Sequence, residues 1–223
     1  MNKQTFEHND LFYTKNIVDP LSNNIWLIGS KKTRNAILID APPDINNIKK
    51  FLIKNNQWNV NTIFITHNHY DHIDGLKDII SFLNQEIEIW IGINDSKIFK
   101  NLKINPKYIK YYENSKQFKL NQTSIQFIST PGHTPGSSCI LIEDNLFSGD
   151  TLFPGGPGKT QDSQNFKILI DNIEKKLLNL SEHTIVHPGH GDDTTIKNSL
   201  NEFQVFKSKN LNMSKLSGSI TWQ

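Results

Sequence analysis

Ile65 to Gly75 reads ITHNHYDHIDG, which places three histidines and an aspartate within the six positions His67 to His72. Imidazoles and carboxylates inside a fold must be hydrogen-bonded, paired or metal-bound, because burial without a partner costs about 1–3 kcal/mol or more each. The stretch lies between a buried-strand pattern, VNTIFIT (Val60 to Thr66), and an amphipathic helical pattern, DGLKDIISFLNQ (Asp74 to Gln85), whose Leu76, Ile79, Ile80 and Leu83 share a face. A fold that accepts this chain must therefore end a strand and begin a helix around a cluster of ligand-type side chains. Side chains at alternate positions of an extended segment share a face, so His67, His69 and Asp71 can converge while His72 points elsewhere. One short loop can then serve two metal sites.

The rest of the chain alternates short apolar runs with helical patterns. NIWLIGS (Asn24 to Ser30) and NAILIDA (Asn35 to Ala41) read as hairpin strands joined by the turn KKTR. Asp44 fits an N-cap before INNIKKFLIKNNQ, with Ile45, Ile48, Phe51 and Leu52 at helical spacing. Further strands are expected at IEIWIG, SIQFIST, SCILIED, NLFSGD and TIVHPG, and helices at FKILIDNIEKKLLNL and from Leu200 to Phe206. No repeat, linker or boundary interrupts residues 1–223, and that length can bury one substantial core, so a single domain is expected.

Composition narrows the chemistry. The 24 basic and 22 acidic residues are dispersed, for a net charge of +2, so no basic arm points to a nucleic-acid partner. Cys139 is the single cysteine, which excludes an intramolecular disulfide framework and any Cys-rich zinc module. Histidine and aspartate must supply any metal site. MNKQTFEHNDLFYT has no apolar run after a basic start, and nowhere do about 18 apolar residues run together, so neither a secretion signal nor a membrane span is expected. The cytoplasm is the expected compartment.

The remaining unusual residues fall in a consistent place. His133 (TPGHTPG) follows SIQFIST, Asp150 (SGDTLF) follows NLF, and His190 (HPGHG) follows TIV. Each stands just past the carboxyl end of an expected strand, where sheet proteins commonly assemble sites. HNHYDH matches the HxHxDH signature of the metallo-β-lactamase superfamily, with His133, Asp150 and His190 in the family's order. The chain resembles that superfamily over nearly its whole length, and SGDTLFPGGPGKT followed by HPGHGDDTT is similar to the short, single-domain branch of glyoxalase II-like hydrolases.

This resemblance implies an α+β fold, a four-layer αβ/βα sandwich with two mixed β-sheets flanked by helices. It also implies two divalent transition-metal ions: His67, His69 and His133 would bind the first, Asp71, His72 and His190 the second, and Asp150 would bridge them. An all-N/O donor set suits zinc, and also iron or manganese. Two such ions about 3.5–4 Å apart can share a water, lower its pKa and polarise a carbonyl. Asp71 could also orient the bridging hydroxide as a catalytic residue. The small-molecule substrate implied is a thioester of the S-acylglutathione type. Only 33 residues follow His190, so the helical domain that contributes glutathione contacts in two-domain glyoxalase II enzymes is expected to be missing. Other readings stay open: a persulfide dioxygenase with one iron on two histidines and an aspartate, or a lactone, ester or phosphoester hydrolase. A true β-lactamase is not expected, because Asp150 stands where many lactamases carry cysteine. No general acid and no oligomeric state can be assigned.

Several residues invite competing interpretations. GGPGKT (Gly155 to Thr160) fails as a P-loop because Phe153 stands where GxxxxGK[ST] needs glycine. Lys159 could meet an anionic part of a substrate or be a solvated lysine. Tyr70 could touch substrate, although a residue inside a ligand loop more often packs. His187 reads as strand-end packing rather than a further ligand, His8 and His183 as surface residues without partners, and Cys139 as inert.

Overall fold

The computed structural model describes residues 5–112 and 117–222. A seven-stranded mixed sheet has the order β1-β2-β3-β4-β5-β6-β7: Thr5–His8, Leu11–Val18, Asn23–Ser30, Asn35–Ile39, Asn59–Phe64, Glu88–Gly92 and Ile109–Tyr112. A six-stranded mixed sheet contains β8 (Gln117–Leu120), β9 (Thr123–Ser129), β10 (Ser138–Ile142), β11 (Asn145–Gly149), β14 (Ile185–Pro188) and β15 (Thr194–Thr195), in the order β15-β14-β11-β10-β9-β8. Leu152–Phe153 and Gly156–Pro157 form the small ribbon β12-β13.

Period-two alternation divides the interior into three cores. On β3, Ile25 and Leu27 face the helices α1 (Ile45–Lys54) and α3 (Leu76–Leu83), whereas Trp26 and Ile28 face the second sheet. On β10, Ile140 and Ile142 face the first sheet while Cys139 faces α5 (Ser163–Asn172) and α6 (Ile196–Ser208). The result is helices, sheet, sheet, helices, the four layers expected. Because both faces of β3 are covered, all eight of its residues are buried. No helix among the described residues is long and apolar enough to cross a membrane.

Local expectations largely hold. The β3-β4 hairpin pairs Trp26 with Ile39, and Asp44 caps α1 by accepting from the Asn47 amide at 3.2 Å. The expected helix Phe166 to Leu180 differs: α5 stops at Asn172 and the chain continues as one wider π turn, Ile173–Leu177. Strand β2 escaped detection because Lys15, a charge with only 1% of its side chain exposed, breaks the apolar pattern of LFYTKNIV. Its ammonium lies 3.4 Å from Asp193 Oδ1 and over the Trp26 ring. A single helical turn, α2 (Tyr70–Ile73), lies inside the ligand loop, and α4 (Ile98–Leu102) follows β6.

Candidate metal centre

Carboxyl ends of four strands deliver the site. β5 leads to His67, β9 to His133, β11 to Asp150 and β14 to His190. Two turns require glycine. Gly149 has φ +50°, and any Cβ there would lie 2.6 Å from Thr66; a Cβ on Gly189 would lie 2.5 Å from both Asp150 Oδ1 and His72 Cε1.

The seven residues singled out from sequence come together as two clusters with one member between them. His133 Nε2 lies 3.2 Å from His67 Nε2 and 3.0 Å from His69 Nδ1. On the other side, His190 Nε2 lies 3.2 Å from His72 Nε2 and 3.1 Å from Asp71 Oδ2. Asp150 divides its carboxylate: Oδ1 is 3.4 Å from His72 Nε2 and Oδ2 is 3.7 Å from His133 Nε2. Strand alternation misplaced Asp71. The backbone is extended only as far as His69, then turns into α2, so Asp71 joins His72 and His190 instead of His67 and His69.

Hydrogen bonds set the imidazole tautomers. His133 Nδ1–H donates to the Lys159 carbonyl (2.7 Å), His190 Nδ1–H to the Leu21 carbonyl (2.8 Å) and His72 Nδ1–H to Asp40 Oδ2 (2.8 Å). The Thr66 hydroxyl donates to Asp40 (2.9 Å) and can accept from His67 Nδ1–H at 3.1 Å. Each of these four rings therefore turns its Nε2 toward its neighbours, the outer-contact pattern of metal-binding histidines. Lone pairs about 3 Å apart repel unless a proton or cation lies between them. Asp150 Oδ1 adds a second indication, since it is a buried carboxylate oxygen with no hydrogen-bond partner among the described residues. The donor set fits a pair of divalent cations.

Charge is distributed unevenly. Burial lowers the pKa of His67 well below the ordinary imidazole value, with His72 adding to the effect, and burial followed by His133 lowers His69. Burial opposes the charged form of His72 as well, yet Asp40 and Asp150 outweigh it and raise His72 strongly; Asp71 and Asp150 likewise overcome burial at His190. Asp71 and Asp150 are pushed up by burial but held well below the usual carboxylate range by the neighbouring histidines.

Sequence reasoning missed three supporting residues. Asp40 anchors His72 directly and His67 through Thr66, Asn23 Nδ2 donates to Asp71 Oδ2 at 3.0 Å, and the fully buried Asp95 contacts the loops of His69 and His133. Asp40 and Asp95 each lie just past a strand end, the same signal that singled out the ligands.

Of the remaining residues, Tyr70 is 54% exposed between His69 and Asp71. The Lys159 side chain is exposed, while its carbonyl holds His133. His187 is buried, with Asn145 Oδ1 3.0 Å from its Nε2 and Phe147 stacked on its ring, in keeping with strand-end packing. His8 is exposed but lies 3.3 Å from Glu143, so it has a partner after all. Buried Cys139 has its thiol pKa pushed up to about 11 by burial, which keeps it protonated and unreactive.

A family model described as the metallo-beta-lactamase superfamily matches residues 18–84. The chain is 30% identical over 192 residues to "Probable metallo-hydrolase YqgX" of Bacillus subtilis (strain 168), covering 80% of this chain and 90% of that protein. It is also 30% identical over 209 residues to "Hydroxyacylglutathione hydrolase 1" of Vibrio vulnificus (strain YJ016), covering 88% and 76% respectively. Among solved structures, BLEG-1 B3 metallo-beta-lactamase superposes with a TM-score of 0.73 at 25% identity, covering 85% of this chain and 96% of that one. Four layers, ordered ligand loops and these matches agree: the chain belongs to the metallo-β-lactamase superfamily.

Proposed function

We propose that this protein is a metal-dependent hydrolase that cleaves small-molecule thioesters of the S-acylglutathione type in the cytoplasm. The observation that carries the reading is the split carboxylate of Asp150, one oxygen toward each of two complete three-residue clusters. Two divalent ions, zinc by preference and iron or manganese by the same donor set, would be held by His67, His69 and His133, by Asp71, His72 and His190, and by Asp150 between them. Bound there, they would supply a Lewis-acidic pair that makes water nucleophilic near neutral pH and polarises an acyl carbonyl.

The chain's own residues have separate tasks. Asp71 engages His72, His190 and Asn23 through Oδ2, so Oδ1 is the atom that accepts a hydrogen bond from the attacking water and orients it. Asp40 binds the proton on Nδ1 of His72 and so aims its Nε2 at the cluster. A thiolate departs without a strong acid, which suits a site to which no general acid is assigned. Exposed Tyr70 and Lys159 flank the clusters, where the ring would pack against the thiol portion and the ammonium would meet a carboxylate.

A mononuclear iron dioxygenase needs only two histidines and an aspartate, and the ordered second cluster favours hydrolysis over it. The test compares free-thiol release from S-lactoylglutathione under strict anaerobiosis with oxygen consumption on glutathione persulfide, using zinc-loaded and iron-loaded protein. Thiol release without oxygen is expected. Oxygen uptake with iron and no thiol release with either metal would replace hydrolysis by dioxygenation, and silence in both assays would redirect the assignment to lactones, other esters or phosphoesters.

A further inference from the structure

Asp95 lies three residues past β6, with none of its surface exposed, and touches no residue of either cluster through a ligand atom. Its carboxylate nevertheless joins the two segments that supply all three histidines of the first cluster. Oδ2 accepts from the Asn68 amide (3.1 Å), between His67 and His69, and from the Thr134 hydroxyl (2.6 Å), next to His133. Oδ1 accepts from the Gly136 amide at 2.8 Å. Ser137 completes the loop: its Oγ accepts from the Thr134 amide at 3.0 Å and lies 2.7 Å from Thr134 Oγ1, to which it can donate.

The corner cannot retreat from this contact. A Cβ on Gly136 would lie 2.6 Å from Asp95 Cγ, and a Cβ on Gly92 would lie 2.0 Å from the Gly136 carbonyl oxygen. All three partners are donors, so the ionised carboxylate is the form that satisfies them. An asparagine would turn an amide N–H toward a backbone N–H in either orientation and lose at least one bond. The charge matters too. The second cluster contains Asp71 as well as the shared Asp150, whereas the first has three imidazoles and no carboxylate of its own.

We infer that Asp95 is a positioning residue for the first cluster, latching the His67–His69 and His133 segments together and placing a buried carboxylate behind three imidazoles, and so setting that cluster's affinity for its cation. This rests on reading the two clusters as a dinuclear centre. Outer contacts of this kind typically change metal affinity about 10–100-fold.

The experiment measures zinc and cobalt(II) retention by elemental analysis, and cobalt absorption, in the full chain with one cluster disabled at a time. In a His190→Ala background, which leaves the first cluster, Asp95→Asn should weaken the remaining ion about 10–100-fold and shift its cobalt spectrum. In a His69→Ala background, which leaves the second, Asp95→Asn should change neither. Equal retention with and without Asp95→Asn in the His190→Ala background would overturn the inference, as would equal losses in both backgrounds. Should Asp95→Asn fail to fold, Thr134→Val decides: it keeps the carboxylate and both backbone donors, so a several-fold weakening confined to the His190→Ala background supports the latch, and no change refutes it. A wild-type chain that holds no ion would remove the dinuclear reading and this inference together, whereas two ions in wild type and undiminished retention in Asp95→Asn would remove this inference alone.

Discussion

His67 and His69, clustered with His133, resist protonation, while His72 and His190, a few ångströms away beside Asp71, are drawn toward the protonated form. Burial opposes the charged imidazole in both places. The outcome differs because the second cluster has carboxylates against its rings, Asp40 and Asp150 at His72 and Asp71 at His190, whereas the nearest neighbours of His69 include another imidazole. One site is thus built on imidazoles with no carboxylate of their own, the other on imidazoles in direct contact with carboxylates. Both would suit a divalent cation, but the second also draws protons.

The most severe way to break this contrast is to remove the residue common to both halves. Asp150→Ala takes away the oxygen facing His72 and the oxygen facing His133 at once, so both clusters should lose affinity and turnover should fall by orders of magnitude. Metal content and thioester hydrolysis measured on the same preparation check this. Loss of one ion with the other fully retained would show that the two halves do not share Asp150.

Acid should separate the halves. Free imidazole titrates near about 6.5, and the raised pKa values of His72 and His190 mean that protons compete with the second ion already at and above that pH. The lowered values of His67 and His69 mean that their nitrogens stay open to metal at lower pH. As pH falls, the second ion should leave first, and activity should disappear with it before the first ion is lost. Ion retention against pH in His69→Ala and in His190→Ala, each holding one cluster, gives the order directly. Earlier acid release from the His190→Ala protein would reverse the comparison.

The same contrast explains what was legible in the sequence. The candidate ligands announce themselves because four crowd into one hexapeptide and the others sit in Gly- and Pro-marked loops after apolar runs. Most core strands were legible for the related reason that strands such as β3 and β4 are apolar on both faces. Residues that tune the clusters are single aspartates and asparagines, whose role depends on which loops the fold brings against them. By pattern Asp40 belongs to the NAILIDA strand, yet it lies one residue past β4 with φ +65°, aimed at Thr66 and His72. Asp95 in IGINDSK acquires its meaning from Thr134 and Gly136, some 40 positions later in the sequence. Buried Lys15 obscured β2 because its partner, Asp193, is more remote still, 178 positions later. Turns shorter than two helical repeats, such as α2, leave no periodicity to detect, and this is why alternation misplaced Asp71.

The smallest effect expected comes from Lys159, where one residue has two separable parts. Its carbonyl fixes the His133 proton and thereby belongs to the first cluster, while its exposed ammonium is free to meet substrate. Lys159→Ala keeps the carbonyl, so metal content and kcat should stay near wild type. Only the contact with substrate is removed, and a remote contact between exposed charges contributes mainly uniform binding of modest size, about 0.2–1 kcal/mol. KM should therefore rise up to about fivefold for thioesters that carry carboxylates, with little change for neutral ones, and added salt should erase the difference. An equal change in KM for charged and neutral thioesters would remove Lys159 from substrate recognition, and a loss of one ion would mean that its side chain, not only its carbonyl, supports the first cluster.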